Sequence, residues 1–202
     1  MSKTVTLDQQ IAYLLRNPIT KPEQMPTPLV TKPIDAEWQS WIDNQWWAAK
    51  NKESAEINPN PVLFALHRVE PMAPDRVAKM YELRELLLSF GGSEVCMPGY
   101  DEDVHRIIDR GQLWYGDRIH MMKGRPSQCH FNSCRCWEAN QDKTVLCTGY
   151  ALSEDGMWRC HSWLVELRPR RNKIVETTEK RVAYFGFGMT TDEAWDFYYD
   201  NE

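Results

Sequence analysis

Residues 143–167 read KTVLCTGYALSEDGMWRCHSWLVEL, and the fold turns on this stretch. Lys143 to Leu152 and Met157 to Leu167 are rich in Val, Thr, Tyr, Trp and Leu, which suit a pleated, half-buried surface. Ser153-Glu154-Asp155-Gly156 between them has the acid-then-glycine composition of a tight turn. The segment therefore reads as a β-hairpin. Beyond it, Arg168 to Asn172 is a basic turn, and Lys173 to Thr178 and Arg181 to Phe187 are two more strands. Thr190, with Glu193 three residues on, forms a capping box that opens a last helix. Before it, Gly124 and Pro126 break the chain ahead of a helix over Ser127 to Asn140. Helix, an antiparallel meander of at least four strands, then helix makes an α+β fold, with helices packed on the sheet.

The first half is helical. Pro74 and Asp75 start a helix that Val77, Met80, Leu83, Leu86, Leu87 and Phe90 line and Gly91-Gly92 end. A shorter helix covers Asp101 to Arg110, with Val104, Ile107 and Ile108 on one side and His105 off that face. Val62 to His67 is a short apolar run that reads as a strand. Residues 1–61 read as a Pro-rich arm and 62–202 as the α+β domain. Within the arm, Leu7, Ile11, Leu14 and Leu15 share one helical face, which Pro18 terminates. Pro18, Pro22, Pro26, Pro28 and Pro33 forbid regular structure from there to Asp35. Asp35 caps a helix to about Lys50 that carries Trp38, Trp41, Trp46 and Trp47. Such a helix is too apolar to stay in water. It is expected to dock on the main domain, with the aromatic cluster as a surface for a protein partner as the alternative. Asn51 to Pro61 is a polar connector.

Composition narrows the function. Hydrophobic residues at 42% and charged residues at 26% exclude wholesale disorder. A net charge of -5 gives no general reason to bind nucleic acid or an anionic membrane. No apolar run approaches the roughly 20 residues that span a bilayer. Met1 to Gln10 is polar and carries no apolar signal core, so a cytoplasmic protein with reduced cysteines is expected. No Walker loop or dinucleotide fingerprint is present, and no cofactor is expected.

Five of the six cysteines stand at 129, 134, 136, 147 and 160, which fits a site better than a set of staples. Cys129 lies at the start of its helix, where positive potential and free N–H groups lower a thiol's pKa and can hold an oxyanion. On the strand Met157 to Leu167, alternation puts His161 on one face with Trp163 and Val165. Glu176 lies in a β-prone segment where a carboxylate is costly unless paired, and it could accept the ring N–H of His161. Together they make a nucleophile, a base and an orienting acid, the set that turns a thiol into an acylating nucleophile. Each has a plainer reading: a buried or zinc-bound cysteine, a satisfied core histidine, an exposed strand carboxylate. Asn132, three residues beyond Cys129, is a candidate for holding a substrate carbonyl, and Gln128 is a candidate oxyanion donor, with a plain helix-cap or packing role as the alternative for each. Trp163 either packs the core or shields the histidine. His130 is expected to point away from Cys129 along the helix, although at a helix start it could still be reached.

His161-Ser162-Trp163-Leu164-Val165-Glu166, followed by Ile174-Val175-Glu176-Thr177-Thr178, resembles the transglutaminase-like branch of the papain-like superfamily. That branch has a His-aromatic strand, then an acid before a Thr, with the cysteine upstream on a helix. The resemblance covers roughly residues 126–187. It implies a cysteine hydrolase or acyl transferase (a thiol protease, amidase or transglutaminase-like enzyme) with Cys129, His161 and Glu176 as catalytic triad. Its substrate would be a peptide, an isopeptide, a glutamine side chain or a small amide. The acid in that branch is usually Asp, and an aromatic usually follows the nucleophile where this chain has His130.

Two other classes compete. Cys129, Cys134, Cys136 and His161 are soft enough to hold zinc, although Cys129 to Cys134 is too wide for a structural pair and Cys134 to Cys136 too tight. A redox role would have Cys134 or Cys136 resolve a Cys129 sulfenate. The last class is a non-catalytic interaction protein that works through its Trp-rich surface.

Overall fold

The computed structural model describes residues 22–25, 27–51, 74–96, 103–117, 119–168 and 172–202. The helix expected over Leu7 to Asn17, the strand expected over Val62 to His67 and the Trp47 side chain lie outside them. The described residues form five α-helices and seven strands. In chain order they are α1 (Ala36–Asn51), α2 (Pro74–Phe90), β1 (Glu94–Val95), α3 (Asp103–Arg110), β2 (Gln112–Tyr115) and β3 (Ile119–Met121). Next come α4 (Cys129–Glu138), β4 (Thr144–Leu152), β5 (Met157–Glu166), β6 (Lys173–Glu176), β7 (Ala183–Gly188) and α5 (Thr191–Asp200). The chain is thus α+β. No helix among the described residues is long and apolar enough to cross a membrane.

Local chemistry places most boundaries. Asp35 Oδ1 accepts the Glu37 N–H at 2.9 Å and caps α1. Gly91, at φ 128°, takes the left-handed conformation that stops α2. Thr190 and Glu193 form the reciprocal capping box of α5. The β4–β5 hairpin pairs from Thr144↔Glu166 to Leu152↔Trp158, and Gly156 at φ 84° makes its turn.

The sheet is not the meander expected from the sequence. Its strand order is β2-β7-β4-β5-β6-β3, with β1 added to β5. β7 pairs with β4 and not with its sequence neighbour β6, whose outer side is occupied by β3 in parallel. Two glycines allow the β4–β7 contact. A Cβ on Gly149 would come 2.2 Å from the Phe185 carbonyl oxygen, and one on Gly186 would come 2.1 Å from that of Thr148. The end strands β2 and β3 are separated in sequence only by residues 116–118, so the sheet curls on itself.

Alternation gives the curled sheet two apolar faces. Leu146, Tyr150, Leu152, Trp158, Leu164 and Phe185 face the helices and pack with Leu83, Leu87, Ile107 and Trp137. Val145, Cys147, Trp163, Val165, Ile174 and Tyr184 fill the concave face. α1 joins the helical side by burying Ile42 and Trp46, whose Nε1 donates to the Val95 carbonyl at 2.9 Å. Glu94, 1% exposed, ties α1, α2 and β1 together. It accepts from Gln39 Nε2 at 2.8 Å and from Arg84 Nε and Nη2 at 2.9 Å each. A buried carboxylate persists only when satisfied in this way.

One consequence positions the site. β4 covers one edge of β5 along its length. On the other edge β1 pairs at Met157 and Trp158, and β6 pairs from Leu164 to Glu166. Residues 159–163 in between have no strand partner on that side among the described residues. The first turns of α4 fill this gap, where Ser133 Oγ donates to the Ser162 carbonyl at 3.0 Å.

Candidate active site

The lead-in to α4 is held by strand-like bonds. Beyond β3 the chain continues along β6, with Met122 N–H donating to the Glu176 carbonyl and Gly124 N–H to the Thr177 carbonyl, each at 2.8 Å. Residues 126–127 then turn, and Ser127 has φ 57°, the single positive φ of a non-glycine residue among the described residues. That conformation costs a side-chain-bearing residue about 1–2 kcal/mol. It directs the chain so that Cys129 is the first residue of α4. The first intrahelical bond there runs from Asn132 N–H to the Gln128 carbonyl, at 2.9 Å. The N–H groups of Cys129, His130 and Phe131 are therefore the terminal donors of a helix N-terminus. Gln128 is exposed and its side chain makes no capping bond.

The structure brings Cys129, His161 and Glu176 together. Glu176 is fully buried. Its Oε2 accepts from His161 Nε2 at 2.8 Å and from Tyr184 Oη at 2.9 Å. Its Oε1 accepts from Thr178 N–H at 2.7 Å and Thr178 Oγ1 at 2.9 Å. Burial pushes this carboxyl up, but the His161 hydrogen bond and charge, with help from Thr178 and Tyr184, bring it down to about 2. A carboxylate can only accept, so Nε2 of His161 carries the hydrogen, and Nδ1 is the nitrogen left for the thiol. Trp163, fully buried, lies nearly parallel to the His161 ring at 6.4 Å between centroids.

Cys129 interacts with two imidazoles. Burial pushes its thiol up, but hydrogen bonding and charge from His130, then from His161, outweigh that and bring it down to about 5. Burial also pushes up Cys96, Cys134, Cys136 and Cys147, and there it prevails, raising Cys134 to about 12. Burial lowers both histidines, and their contacts more than reverse it. His161 is raised by Cys129 and Glu176, and His130 is raised to about 10 by Cys129 and Cys160. These shifts favour a Cys129 thiolate opposite the His130 imidazolium at neutral pH, with His161 shifted in the same direction.

His130 corrects the sequence expectation that it points away. It reaches to the helical face of β5, where its Nδ1 lies 2.7 Å from Ser162 Oγ and its Nε2 lies 3.9 Å from Cys160 Sγ. Ser162 Oγ donates onward to Thr148 Oγ1 at 3.3 Å, so it accepts from Nδ1–H. The first turn of a helix lacks neighbours below it, and a side chain there can swing to the sheet. Its place at the helix start was the sign that Cys129 and His130 could still meet. Tyr184 and Thr178 were also missed. Strand alternation places Tyr184 on the concave face, and a Thr two residues beyond a carboxylate is a common local donor.

The contacts of Asn132, Trp163 and the zinc set favour the plainer readings. Asn132 does not face a substrate: its Nδ2 donates to the Arg125 carbonyl at 2.7 Å and its Oδ1 accepts from Arg125 N–H at 3.1 Å. It fastens the lead-in loop to α4. Trp163, with no exposed surface, packs the concave core and is not available to a substrate. The zinc set Cys129, Cys134, Cys136 and His161 does not converge. Cys134 is buried with its Sγ 3.9 Å from the Phe197 carbonyl, and Cys136 Sγ lies 3.6 Å from Met122 Sδ. No group of three or more His, Cys, Asp or Glu among the described residues could hold a metal ion. The same positions remove Cys134 and Cys136 as partners for a Cys129 sulfenate.

Neither a protein-family model, nor a curated protein, nor a solved structure matches this chain.

Proposed function

We propose that this protein is a cysteine-dependent hydrolase or acyl transferase of the transglutaminase-like branch of the papain-like superfamily. The observation that carries the reading is the His161–Glu176 bond beside a thiolate at the first residue of a helix. Cys129 attacks an amide, isopeptide or ester carbonyl. N–H groups at the start of α4 receive the oxyanion, with the uncommitted Gln128 amide beside them. His161 returns its Nδ1 proton to the leaving amine or alcohol, and Glu176 keeps the ring oriented and its charge compensated. Water, or an amine in the transferase case, then takes the acyl group from sulfur.

The test is labelling followed by turnover. Iodoacetamide near neutral pH should modify Cys129 well ahead of the other five cysteines. An activated ester or a glutamine-containing peptide, with and without a primary amine, should then be consumed by the wild type and not by Cys129→Ser. Amine incorporation identifies a transferase, and release of acid identifies a hydrolase. Uniform slow labelling of all six cysteines sinks the reading.

One observation favours a second reading. Trp38 is 47% exposed and meets Trp41 edge-on at 5.6 Å between centroids. An exposed tryptophan paired with a half-buried one suits a protein partner, whereas Trp46 is buried against the main domain and the Trp47 side chain lies outside the described residues. Loss of a captured partner in Trp38→Ala with Trp41→Ala, unaffected by Cys129→Ser, identifies that role.

A further inference from the structure

The β5 gap holds a second thiol that the proposed acyl chemistry does not use. Cys160 is exposed, and it precedes the proposed base directly. Its Sγ lies 3.9 Å from Nε2 of His130, and His130 also touches Cys129. One imidazole therefore borders both sulfurs at the unpaired stretch of β5 that the first turn of α4 fills. Ser162 fixes that ring from the other side at 2.7 Å, so Nε2 stays turned toward Cys160. We propose that Cys160 is a resolving cysteine, which forms a reversible disulfide with Cys129 when Cys129 is oxidised by a peroxide. The inference rests on the reading of Cys129 as a reactive thiolate.

The chemistry balances with hydrogen peroxide as the two-electron oxidant. The Cys129 thiolate attacks one peroxide oxygen, the O–O bond breaks, and Cys129 becomes a sulfenic acid as hydroxide leaves. Cys160 gives up its thiol proton to solvent, and its sulfur then attacks the Cys129 sulfur. The S–S bond forms, the sulfenic oxygen departs, and a proton from the His130 imidazolium completes it as water. A dithiol restores both cysteines and is itself oxidised to a disulfide. The exchange spares the nucleophile from the sulfinic state, which thiols do not reverse. An exposed cysteine suits this part, because a reductant must reach the mixed disulfide.

The experiment treats the full chain with a small excess of hydrogen peroxide, blocks free thiols and maps the cysteines by mass spectrometry without reduction. The expected result is a Cys129–Cys160 link in the wild type and full recovery of iodoacetamide labelling at Cys129 after dithiothreitol. Cys160→Ser should label normally at Cys129 before oxidation, then accumulate sulfinate there and recover no more than about a tenth of its labelling. A link between Cys96 and Cys160, or sulfinate at Cys129 to the same extent in both proteins, overturns the proposal. The wild-type map decides by itself if Cys160→Ser fails to fold. Slow labelling of the reduced wild type would instead count against the nucleophile, so the two failures are told apart.

Discussion

Glu176 binds His161 through Nε2 at 2.8 Å and so leaves Nδ1 as the nitrogen that meets Cys129. The carboxylate has four donors on its two oxygens, and three of them come from Thr178 and Tyr184. The ring is therefore held by an anion that is itself immobile. Burial lowers the pKa of this histidine, 2% exposed, and the contacts with Cys129 and then with Glu176 raise it.

This pair makes stability depend on pH. The Glu176 carboxyl falls from an ordinary 4.5 to about 2 on folding. A lowered carboxyl contributes stability above its unfolded pKa and loses it as pH falls through the folded value, here between about 4.5 and 2. The contribution is on the order of 3 kcal/mol. His161 is raised, so its part is complete below its ordinary 6.5 and fades as pH rises through the folded value. Urea midpoints measured from pH 2 to 7 should fall steeply at the acid end. In Glu176→Gln that slope should flatten on a lower plateau.

The two imidazoles predict a graded loss of the thiolate. The rate of iodoacetamide reaction should rise with pH around a midpoint near 5 in the wild type. His161→Asn should keep a midpoint below the ordinary 9, because His130 still holds the thiolate. His130→Asn should also shift the midpoint only in part, and the double variant, left with burial alone, should titrate above the ordinary value. On the proposed acyl chemistry, substrate turnover separates the two residues. It should drop by several orders of magnitude in His161→Asn, which removes the proton carrier, and much less in His130→Asn. Equal turnover losses would refute this division of labour.

Ser127 tests the bend ahead of the nucleophile. Ser127→Gly takes φ 57° without steric cost, so its thermal midpoint and Cys129 labelling should stay close to wild type. Ser127→Val places a β-branched side chain in the left-handed region. It should cost about 1–2 kcal/mol and slow the labelling, because the start of α4 shifts.

Gly124 and Asn132 are coupled by contact. A Cβ on Gly124 would lie 2.4 Å from Asn132 Cγ. Gly124→Ala should displace the Asn132 amide from both Arg125 backbone bonds and cost about 2–4 kcal/mol. Asn132→Ala loses the same bonds but opens the space. The double variant should therefore be less destabilised than the sum of the singles, as a double-mutant cycle in chemical denaturation would register.

Much of this molecule comes from local pattern. The 143–167 stretch determined its hairpin, because strand-forming residues flank a turn that Asp-Gly chemistry closes easily. Asp35, Gly91 and the Thr190–Glu193 pair set helix ends through bonds to their own neighbours. The order Cys129, His161, Glu176 was legible because each residue type sits on an element whose periodicity fixes its face. Tertiary structure alone decided the rest. β7 lies beside β4 because Gly149 and Gly186 permit the approach and β3 already occupies β6, and neither condition leaves a periodic trace in sequence. The gap on the β5 edge, which lets α4 set Cys129 between His161 and His130, exists because β1 and β6 stop short of each other. Local periodicity records which way a side chain faces. Which strand edges stay open, and which side chains meet there, depends on contacts between segments far apart in the chain.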